Sequence, residues 1–385
     1  MWIARTRSLI GAASIALLLT APALAAGFPI DEARGGIPTL APLIEKVTPG
    51  VVNIAVQGTV TVQQGNPLLQ DPLFRRFFDQ PGQQRQQQQG QPRQRQFDAA
   101  GSGVIVDARN GYVLTNSHVV ENADRIAVTL TDGRQLDAKL IGTDPETDIA
   151  VIQVAAERLT AVPFGESSKL KVGDFVIAVG NPFGLGQTVT SGIVSALGRG
   201  GLDIEGYEDF IQTDASINPG NSGGALLDLS GRLIGINTAI LGPNGGNIGI
   251  GFAVSTEMAR AVMDQIVQFG EVRRGRLGVE VADFTTAISQ ELRIKNRGAG
   301  SVILGIENGS SADKAGLRRG DVITKLNGTD VRDTRDLRNR LALIRSGEQV
   351  TVTYLRGDDS RTAKLELVRD PPQGQPQARP AATVR

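Results

Sequence analysis

A serine, a histidine and an aspartate stand in this sequence in surroundings that could assemble an activated nucleophile. Ser222 lies in the glycine-rich run Gly220–Leu226, where small residues allow backbone N–H groups to approach the oxygen of a reacting carbonyl. His118 is the only histidine in the chain and the only side chain whose ordinary pKa suits a general base at neutral pH. Asp148 follows 30 residues later, directly before the apolar residues Ile149–Val151.

We interpret these three residues as a catalytic triad for acyl transfer. Their order along the chain, His, Asp and then Ser, is that of chymotrypsin-type enzymes and differs from the orders used by subtilisins and α/β-hydrolases. Ser222 would attack a carbonyl carbon, His118 would accept the serine proton, and Asp148 would orient and stabilise the imidazole. We prefer Asp148 to the nearby Asp144, which we expect to cap a turn, because an unpaired carboxylate at the head of a buried strand would be costly.

The loop around Ser222 also predicts an oxyanion hole. We assign it mainly to the backbone N–H groups of Gly220 and Ser222, with Asn221 as a further member that shapes the turn between them. Ser216 stands six residues before Ser222, where trypsin-like enzymes carry an aspartate. We therefore expect no preference for cleavage after Lys or Arg.

These motifs resemble the HtrA/Deg family of PDZ-containing serine proteases. The likeness covers nearly everything from about residue 40 to 370, and it continues through Gly180–Gly184, Thr190–Ser195, Phe210–Ala215 and Ile234–Thr238. The resemblance implies a mainly β fold, in which a chymotrypsin-like pair of six-stranded barrels is followed by a PDZ domain. It also implies cleavage after small aliphatic residues such as Val or Ala in unfolded protein segments.

The elements that must position these residues read as short strands. After a first strand at Val51–Val56, short β-rich runs separated by Gly, Asp and Asn turns fill residues 101–254, which indicates an all-β sandwich or barrel pair. The clearest runs are Val104–Val106, Tyr112–Leu114, Ile126–Leu130, Ile149–Val154, Phe175–Val179 and Leu233–Ile236. The helical spacing of apolar residues from Met258 to Phe269 predicts a helix at the end of the protease domain. We expect the whole protease domain to span about residues 40–269.

A polar segment interrupts the first barrel. Residues 63–97 are dense in Gln, Arg and Pro, and we expect Gln83–Gln96 to be a mobile loop because it cannot bury enough apolar surface. Phe74, Phe77 and Phe78 are the exception, and they either pack against their own domain or dock on another subunit. In the family that the sequence resembles, the corresponding loop reaches a neighbouring trimer and helps to hold the active site shut at rest.

Three further glycine-rich stretches lie around the expected cleft. Members of the family switch the nucleophile loop between a collapsed and an active form. The stretches that we expect to carry this switch are Gly180–Gly192, Leu197–Tyr207 and Ala239–Gly249.

A second domain is expected over residues 275–370, after the short linker Gly270–Gly275. It resembles one PDZ domain, and the loop that would receive a peptide's C-terminal carboxylate consists of Arg276, Leu277, Gly278 and Val279. The peptide would add as a strand beside Val279–Val281, facing a helix near Leu337 and Leu341, within the predicted helix Asp336–Ile344. The alternative is that Leu277 and Val279 are only core residues.

The sequence shows no second PDZ copy, unlike several Deg proteases, and this departure argues against a direct transfer of their large-cage assembly to this chain. Residues 371–385 are rich in Pro, Gln and Ala and are expected to form a disordered tail.

The first 25 residues have the layout of a secretory signal peptide. Arg5 and Arg7 precede the apolar run Leu9–Leu19, and small residues follow at Ala23–Ala25. We expect cleavage after Ala25 and export to the periplasm. The alternative is an uncleaved membrane anchor, for which this apolar run is short.

Composition excludes several other classes of function. The chain has 40 basic and 40 acidic residues, or 38 against 40 without Arg5 and Arg7, and no basic stripe suggests a nucleic-acid partner. It has no cysteine and one histidine, so neither disulfides nor a zinc site are expected. The sequence has no phosphate-binding loop of the Walker type. Of the reaction classes considered, hydrolysis without a cofactor is the one that remains.

We therefore expect an exported, ATP-independent serine endopeptidase that degrades unfolded or misfolded proteins. Its PDZ domain would bind substrate C-termini or hydrophobic segments. We further expect a homo-oligomer built from one or more trimers, with peripheral membrane association as an additional expectation. Two alternatives stay open: a holdase chaperone with secondary proteolysis, and a membrane-anchored regulatory protease.

Overall fold

The computed structural model divides the chain into two units, residues 1–40 and 41–385. In the first unit, β1 (Ile30–Asp31) pairs antiparallel with β2 (Ile37–Pro38). The structure describes residues 30–31, 37–62, 93–182, 186–200, 206–218, 220–240, 247–295 and 299–369. The predicted signal peptide and the predicted C-terminal tail lie outside these residues.

The first barrel of the second unit is a closed ring of six antiparallel strands. A helix at Ala41–Val47 and a 3₁₀ turn at Thr48–Gly50 lead into it. Its strands are β3 (Val51–Val62), β4 (Arg93–Asp107), β5 (Tyr112–Thr115), β6 (Ala123–Thr129), β7 (Gln135–Asp144) and β8 (Ile149–Gln153). They close in the order β3-β4-β5-β8-β7-β6 around a core of β-branched side chains that includes Val52, Ile54, Val113 and Ile152.

The first two strands extend further into the polar segment than the sequence predicts. Residues 58–62 of β3 pair with residues 93–97 of β4 in unbroken register. The prediction of a mobile loop over Gln83–Gln96 is therefore wrong for residues 93–96, because an antiparallel ladder satisfies backbone N–H and C=O groups whatever side chains they carry. Residues 63–92, with Phe74, Phe77 and Phe78, lie outside the described residues.

The second barrel is also closed and antiparallel. Its strands are β9 (Phe175–Gly180), β10 (Thr188–Arg199), β11 (Phe210–Thr213), β12 (Ala225–Leu227), β13 (Leu233–Ile240) and β14 (Gly251–Ser255), in the order β10-β11-β14-β13-β12-β9. The predicted helix follows at Thr256–Phe269. It begins where the Ser255 hydroxyl accepts the Met258 N–H and ends at Gly270, whose φ of 75° is left-handed. The helix packs on β7 and β8 as well as on β13, so it joins the two barrels.

A smaller domain follows, built on an antiparallel sheet. Its strands are β15 (Gly275–Arg276), β16 (Val279–Asp283), β17 (Ser301–Ile306), β18 (Val322–Leu326), β19 (Thr329–Asp330), β20 (Gln349–Arg356), β21 (Asp359–Glu366) and β22 (Val368–Arg369). The sheet order is β16-β17-β18-β20-β21, with β19 on β18, while β15 pairs with β22. Helices lie at Thr286–Glu291, Ser311–Lys314 and Thr334–Ala342. The predicted architecture of two barrels followed by this domain is confirmed.

The helix Thr334–Ala342 also contacts the second barrel. The Asn339 amide donates to the Glu208 carbonyl at 2.7 Å, and the Arg335 guanidinium donates to the Gly200 carbonyl at 2.8 Å. No helix within the described ranges is long and apolar enough to cross a membrane.

Candidate active site

The barrel topology brings His118 beside Asp148. Strands β5 and β8 are antiparallel neighbours, with Thr115 opposite Ala150, so the residues that follow β5 lie next to those that precede β8. His118 stands in a one-turn helix just after β5, and its Nδ1 lies 2.9 Å from Oδ1 and 2.8 Å from Oδ2 of Asp148. The imidazole of His118 and the carboxylate of Asp148 are therefore hydrogen-bonded to each other.

The Asp148 carboxylate is buried, with an exposed fraction of 2%, but both of its oxygens accept hydrogen bonds. Oδ1 also accepts the His118 backbone N–H at 3.1 Å, and Oδ2 accepts the Thr238 hydroxyl. The Asp148 carbonyl accepts the Asn116 side-chain amide at 2.9 Å and the Ser117 N–H at 3.2 Å. Its φ of 55° is left-handed, a conformation that aspartate tolerates better than most residues. Charge-assisted bonds thus offset the cost of burying the carboxylate.

The pKa of His118 reflects opposing influences. Burial lowers the pKa of the imidazole, whereas the negative charge of Asp148 and its hydrogen bond raise it, with a smaller contribution from Glu121. The net result is a His118 pKa above the ordinary histidine value. The site therefore stabilises the imidazolium, which is the form that a general base becomes after accepting a proton.

Ser222 lies in the turn between β11 and β12 and is buried, with an exposed fraction of 7%. Its hydroxyl donates to the carbonyl of Thr238 at 3.3 Å. Because the hydroxyl of the same threonine donates to Asp148, Thr238 links the nucleophile to the carboxylate. Sequence reasoning missed this role. Thr238 lies in the segment Ile234–Thr238, which is part of the family resemblance. Its contact with Ser222 becomes visible only because β12 and β13 are paired neighbours.

The turn that precedes Ser222 is closed by a hydrogen bond from the Asn221 N–H to the Asn218 carbonyl at 2.9 Å. Gly220 occupies the third position of this turn with a φ of 98°, which is typical of a type II turn and favours glycine. No described residue accepts the N–H of Gly220 or of Ser222. Of the three predicted oxyanion donors, Asn221 uses its N–H within the turn.

The residues six and five positions before the nucleophile carry no charge. The Ser216 carbonyl accepts the Thr190 hydroxyl at 2.8 Å. Ile217 is buried, with an exposed fraction of 1%, and packs so closely on Gly251 that a Cβ there would lie 2.9 Å from the isoleucine Cδ1. Ile217 and Gly251 form an apolar wall within the core of the second barrel.

Arg274, in the linker before the smaller domain, contacts the turn that carries Asp148. Its guanidinium forms a two-point ion pair with Asp144, lies 3.1 Å from a carboxylate oxygen of Glu146, and stacks 4.6 Å from the ring centre of Tyr207. Asp144 also accepts the hydroxyl of Thr147. The sequence predicted that Asp144 caps a turn, and its bond with Thr147 agrees with this. Asp144 also ties the turn to the interdomain linker.

The candidate carboxylate loop of the smaller domain precedes an edge strand. Leu277 is buried in the core, and its carbonyl accepts the Ala312 N–H at 3.0 Å, so the core interpretation applies to this residue. Gly278 has a left-handed φ of 75°, and Arg276 pairs with Glu307 at 2.7 Å. Strand β16 pairs only with β17 among the described residues, and the helix Thr334–Ala342 packs beside it. This edge can accept an added strand.

Comparison with known proteins adds the wider context. A trypsin-like peptidase domain family matches residues 101–236, and a PDZ domain family matches residues 246–367. The chain is 48% identical over 335 residues to the periplasmic pH-dependent serine endoprotease DegQ of Escherichia coli K12, which covers 87% of this chain and 70% of DegQ. It is 46% identical over 352 residues to the periplasmic serine endoprotease DegP of the same strain, covering 86% and 72%.

A solved structure is similar over nearly its whole length. The HtrA-type protease AlgW, solved with a decapeptide, is 42% identical with a TM-score of 0.65. The match covers 87% of this chain and 99% of AlgW.

Proposed function

Because this chain belongs to the HtrA/Deg family of serine endoproteases with a trypsin-like domain and a PDZ domain, we propose that Ser222, His118 and Asp148 form its catalytic triad. The contacts of Asp148 with the His118 ring and with Thr238, which also holds Ser222, support this assignment most strongly. The backbone N–H groups of Gly220 and Ser222 supply the oxyanion hole in this proposal.

In this proposal, the triad acts by a two-step acyl transfer. Ser222 Oγ attacks the scissile carbonyl carbon while its proton passes to His118, and the carbonyl oxygen becomes an oxyanion facing the Gly220 and Ser222 N–H groups. His118 then gives that proton to the departing amine, which leaves an acyl ester on Ser222. Water, deprotonated by His118, attacks the ester carbonyl, and the bond between that carbon and Ser222 Oγ breaks. The carboxylic acid product leaves, and His118 returns its proton to Ser222 Oγ. Asp148 keeps its charge throughout and stabilises the imidazolium.

The substrate class that we propose is unfolded protein, cut after small aliphatic residues. An uncharged Ser216 and the apolar wall formed by Ile217 and Gly251 support a preference against Lys and Arg. We expect mass spectrometry of a permanently unfolded protein digested by the enzyme to place most cuts after Val or Ala. In Ile217→Gly, the added space is expected to raise the relative kcat/KM for larger aliphatic residues about tenfold.

Dominant cleavage after Lys or Arg by the wild-type enzyme would contradict this specificity. Unchanged cleavage sites in Ile217→Gly would show that Ile217 serves only the barrel core.

The PDZ domain is proposed to bind the C-termini of substrates. Support comes from the edge position of β16 and from the adjacent loop, Arg276–Val279, whose glycine holds a left-handed turn. A hydrophobic peptide with a free C-terminal carboxylate is expected to bind at least about tenfold more tightly than its C-terminal amide, because the amide has lost the charge that backbone N–H groups favour. Calorimetry with the Ser222→Ala protein, which cannot consume the peptide, measures this ratio. Equal affinities would argue against carboxylate recognition.

We also propose a homo-oligomer based on a trimer. Val172, three residues before β9, and Phe175, the first residue of β9, expose 64% and 54% of their surface. Burial between subunits would remove this apolar area from water. Sedimentation velocity of the purified protein tests the proposal, and a monomer at micromolar concentration would overturn it.

We propose that the protein is exported, cleaved after Ala25 and retained in the periplasm. The two periplasmic relatives and the predicted leader support this proposal. N-terminal sequencing of the protein from cells decides between a start at Ala26 and a retained anchor. The membrane-anchored alternative requires the latter.

A further inference from the structure

A buried polar cluster joins the two barrels directly beneath the nucleophile turn. At its centre is Ser102 of β4, which has an exposed fraction of 0%. Its hydroxyl donates to the Gly220 carbonyl at 2.5 Å and accepts the Asn181 N–H at 2.8 Å. Its backbone N–H donates to the Ser222 carbonyl at 2.9 Å. One residue of the first barrel thus holds the carbonyls of both residues whose N–H groups we assign to the oxyanion hole.

Other members of the cluster leave little room for movement. The Asn53 side chain, on β3, donates to the Asn181 carbonyl at 2.9 Å. A Cβ on Gly223 would lie only 2.2 Å from the Ser102 carbonyl oxygen and 2.3 Å from Oγ1 of Thr115. The nucleophile turn is therefore pressed against the first barrel, and its backbone cannot slide without breaking these contacts.

The position of the turn relative to the first barrel matters for the chemistry. His118 and Asp148 belong to the first barrel, whereas Ser222 and the two oxyanion donors belong to the second. Catalysis requires the base and the donors to act on one substrate carbonyl at the same moment, and a misplacement of about 1 Å can cost a factor of about 100 in rate. A contact that fixes the position of the turn around Ser222 relative to the first barrel therefore affects the rate of catalysis without touching the substrate.

Removal of the Ser102 hydroxyl would leave its partners without replacements. The Gly220 carbonyl and the Asn181 N–H are both buried, and a buried polar group that loses its partner is destabilised until it finds another. The turn and the start of the Gly180–Gly192 stretch would have to shift to satisfy these groups. That shift would move the Gly220 N–H away from the oxyanion.

We propose that Ser102 is a positioning residue for the oxyanion hole. It holds the Gly220 and Ser222 backbone at a fixed position relative to His118, across the interface between the barrels. This inference rests on the proposed triad and oxyanion donors. Ser102 does not contact the reacting atoms. It acts through Gly220 and Ser222.

The test compares Ser102→Ala with the wild type on a soluble peptide substrate. We expect kcat to fall about 10- to 100-fold while KM changes less than about threefold, because the lost registration matters mainly in the transition state. A peptide boronic acid, whose tetrahedral adduct on Ser222 places an oxygen in the hole, should lose affinity by a similar factor. The affinity of a cleaved product peptide, which forms no such adduct, should stay unchanged.

A matched control removes a similar hydroxyl elsewhere. Ser289 is buried, and its hydroxyl donates to the Ile294 carbonyl at 2.9 Å, far from the catalytic machinery in sequence and within the PDZ domain. Ser289→Ala should change kcat less than about twofold. Because His118 is the only histidine, its imidazole NMR signals report directly whether the base and Asp148 remain paired in each variant.

The outcomes separate this inference from the proposed triad. If a fluorophosphonate fails to label Ser222 in the wild type, the triad itself is wrong. If the wild type is labelled but Ser102→Ala keeps its kcat and its boronate affinity, the role of Ser102 is wrong. Should Ser102→Ala fail to fold, Ser102→Cys replaces it, because a thiol fills nearly the same space and is a much weaker hydrogen-bond donor and acceptor. An unchanged kcat in that variant would overturn the inference, and a several-fold fall would support it.

Discussion

Replacing Ser222 with alanine is expected to lower kcat/KM for peptide cleavage by about 10⁶-fold, down to a residual rate supplied by substrate binding and the oxyanion hole. The reason is chemical. Alanine offers no oxygen to attack the carbonyl, and His118 and Asp148 then have no nucleophile to activate. Degradation of a permanently unfolded protein, followed by gel and by mass spectrometry, measures the loss. His118→Ala should lose a similar amount, and the double variant should lose little more, because the residues act as a unit.

The same measurement weighs the chaperone alternative. Substantial cleavage by Ser222→Ala would contradict our assignment of the nucleophile. If neither the wild type nor the variant cleaves, yet both suppress aggregation of the substrate, a holdase function replaces the protease interpretation under those conditions. Ser289→Ala, which leaves the catalytic machinery intact, serves as the matched control for any general effect of losing a buried hydroxyl.

Asp148→Asn is expected to lower kcat by about 10⁴-fold while leaving the fold intact. Asparagine can keep the left-handed backbone of this position, but its amide group can donate to Nδ1 of His118 and so favour the wrong tautomer. The Thr238 hydroxyl also loses its charged acceptor. Steady-state kinetics on a peptide substrate check the size of the loss, and circular dichroism checks the fold.

The pH dependence of the same variant has a defined sign. Cleavage needs neutral His118, so kcat/KM rises with pH through the pKa of that residue in the free enzyme. Burial lowers this pKa, but Asp148 raises it by more, so the acid limb of the wild type lies at a higher pH than the ordinary histidine pKa would give. Asp148→Asn removes the charge but not the burial, and the limb should move to lower pH. NMR titration of the single imidazole measures the same shift directly, and a shift to higher pH would contradict the proposed pairing.

Much of the site could be predicted from the sequence because local patterns encode it. The glycines around Ser222 are required by close backbone approaches, and Asp148 directly precedes a strand of buried residues. The main strands follow from β-branched runs between turn residues, so the two-barrel fold could be predicted as well.

What the sequence could not show depends on contacts between distant segments. Thr238 and Ser102 are ordinary strand residues by type, and only the packing of the two barrels places them against Asp148 and Gly220. Arg274 lies in a basic linker, and nothing local indicates that it pairs with Asp144, which is 130 positions earlier. The ordering of residues 93–96 was missed for a different reason. Their side chains are polar, and the order comes from backbone pairing with β3.

The hydrogen bonds between the two barrels also affect the stage of folding at which a newly made chain first becomes active. The bond from Ser102 to Gly220 joins residues 118 positions apart, and the bond from Thr238 to Asp148 spans 90 positions. Contacts with such long separations are slow to form, because chain entropy must be lost before they contribute any stability. A chain that has completed only its first barrel holds His118 and Asp148 but lacks Ser222, the nucleophile of the proposed triad. If the proposed triad is correct, we expect newly synthesised copies to become active only after the second barrel has closed on the first.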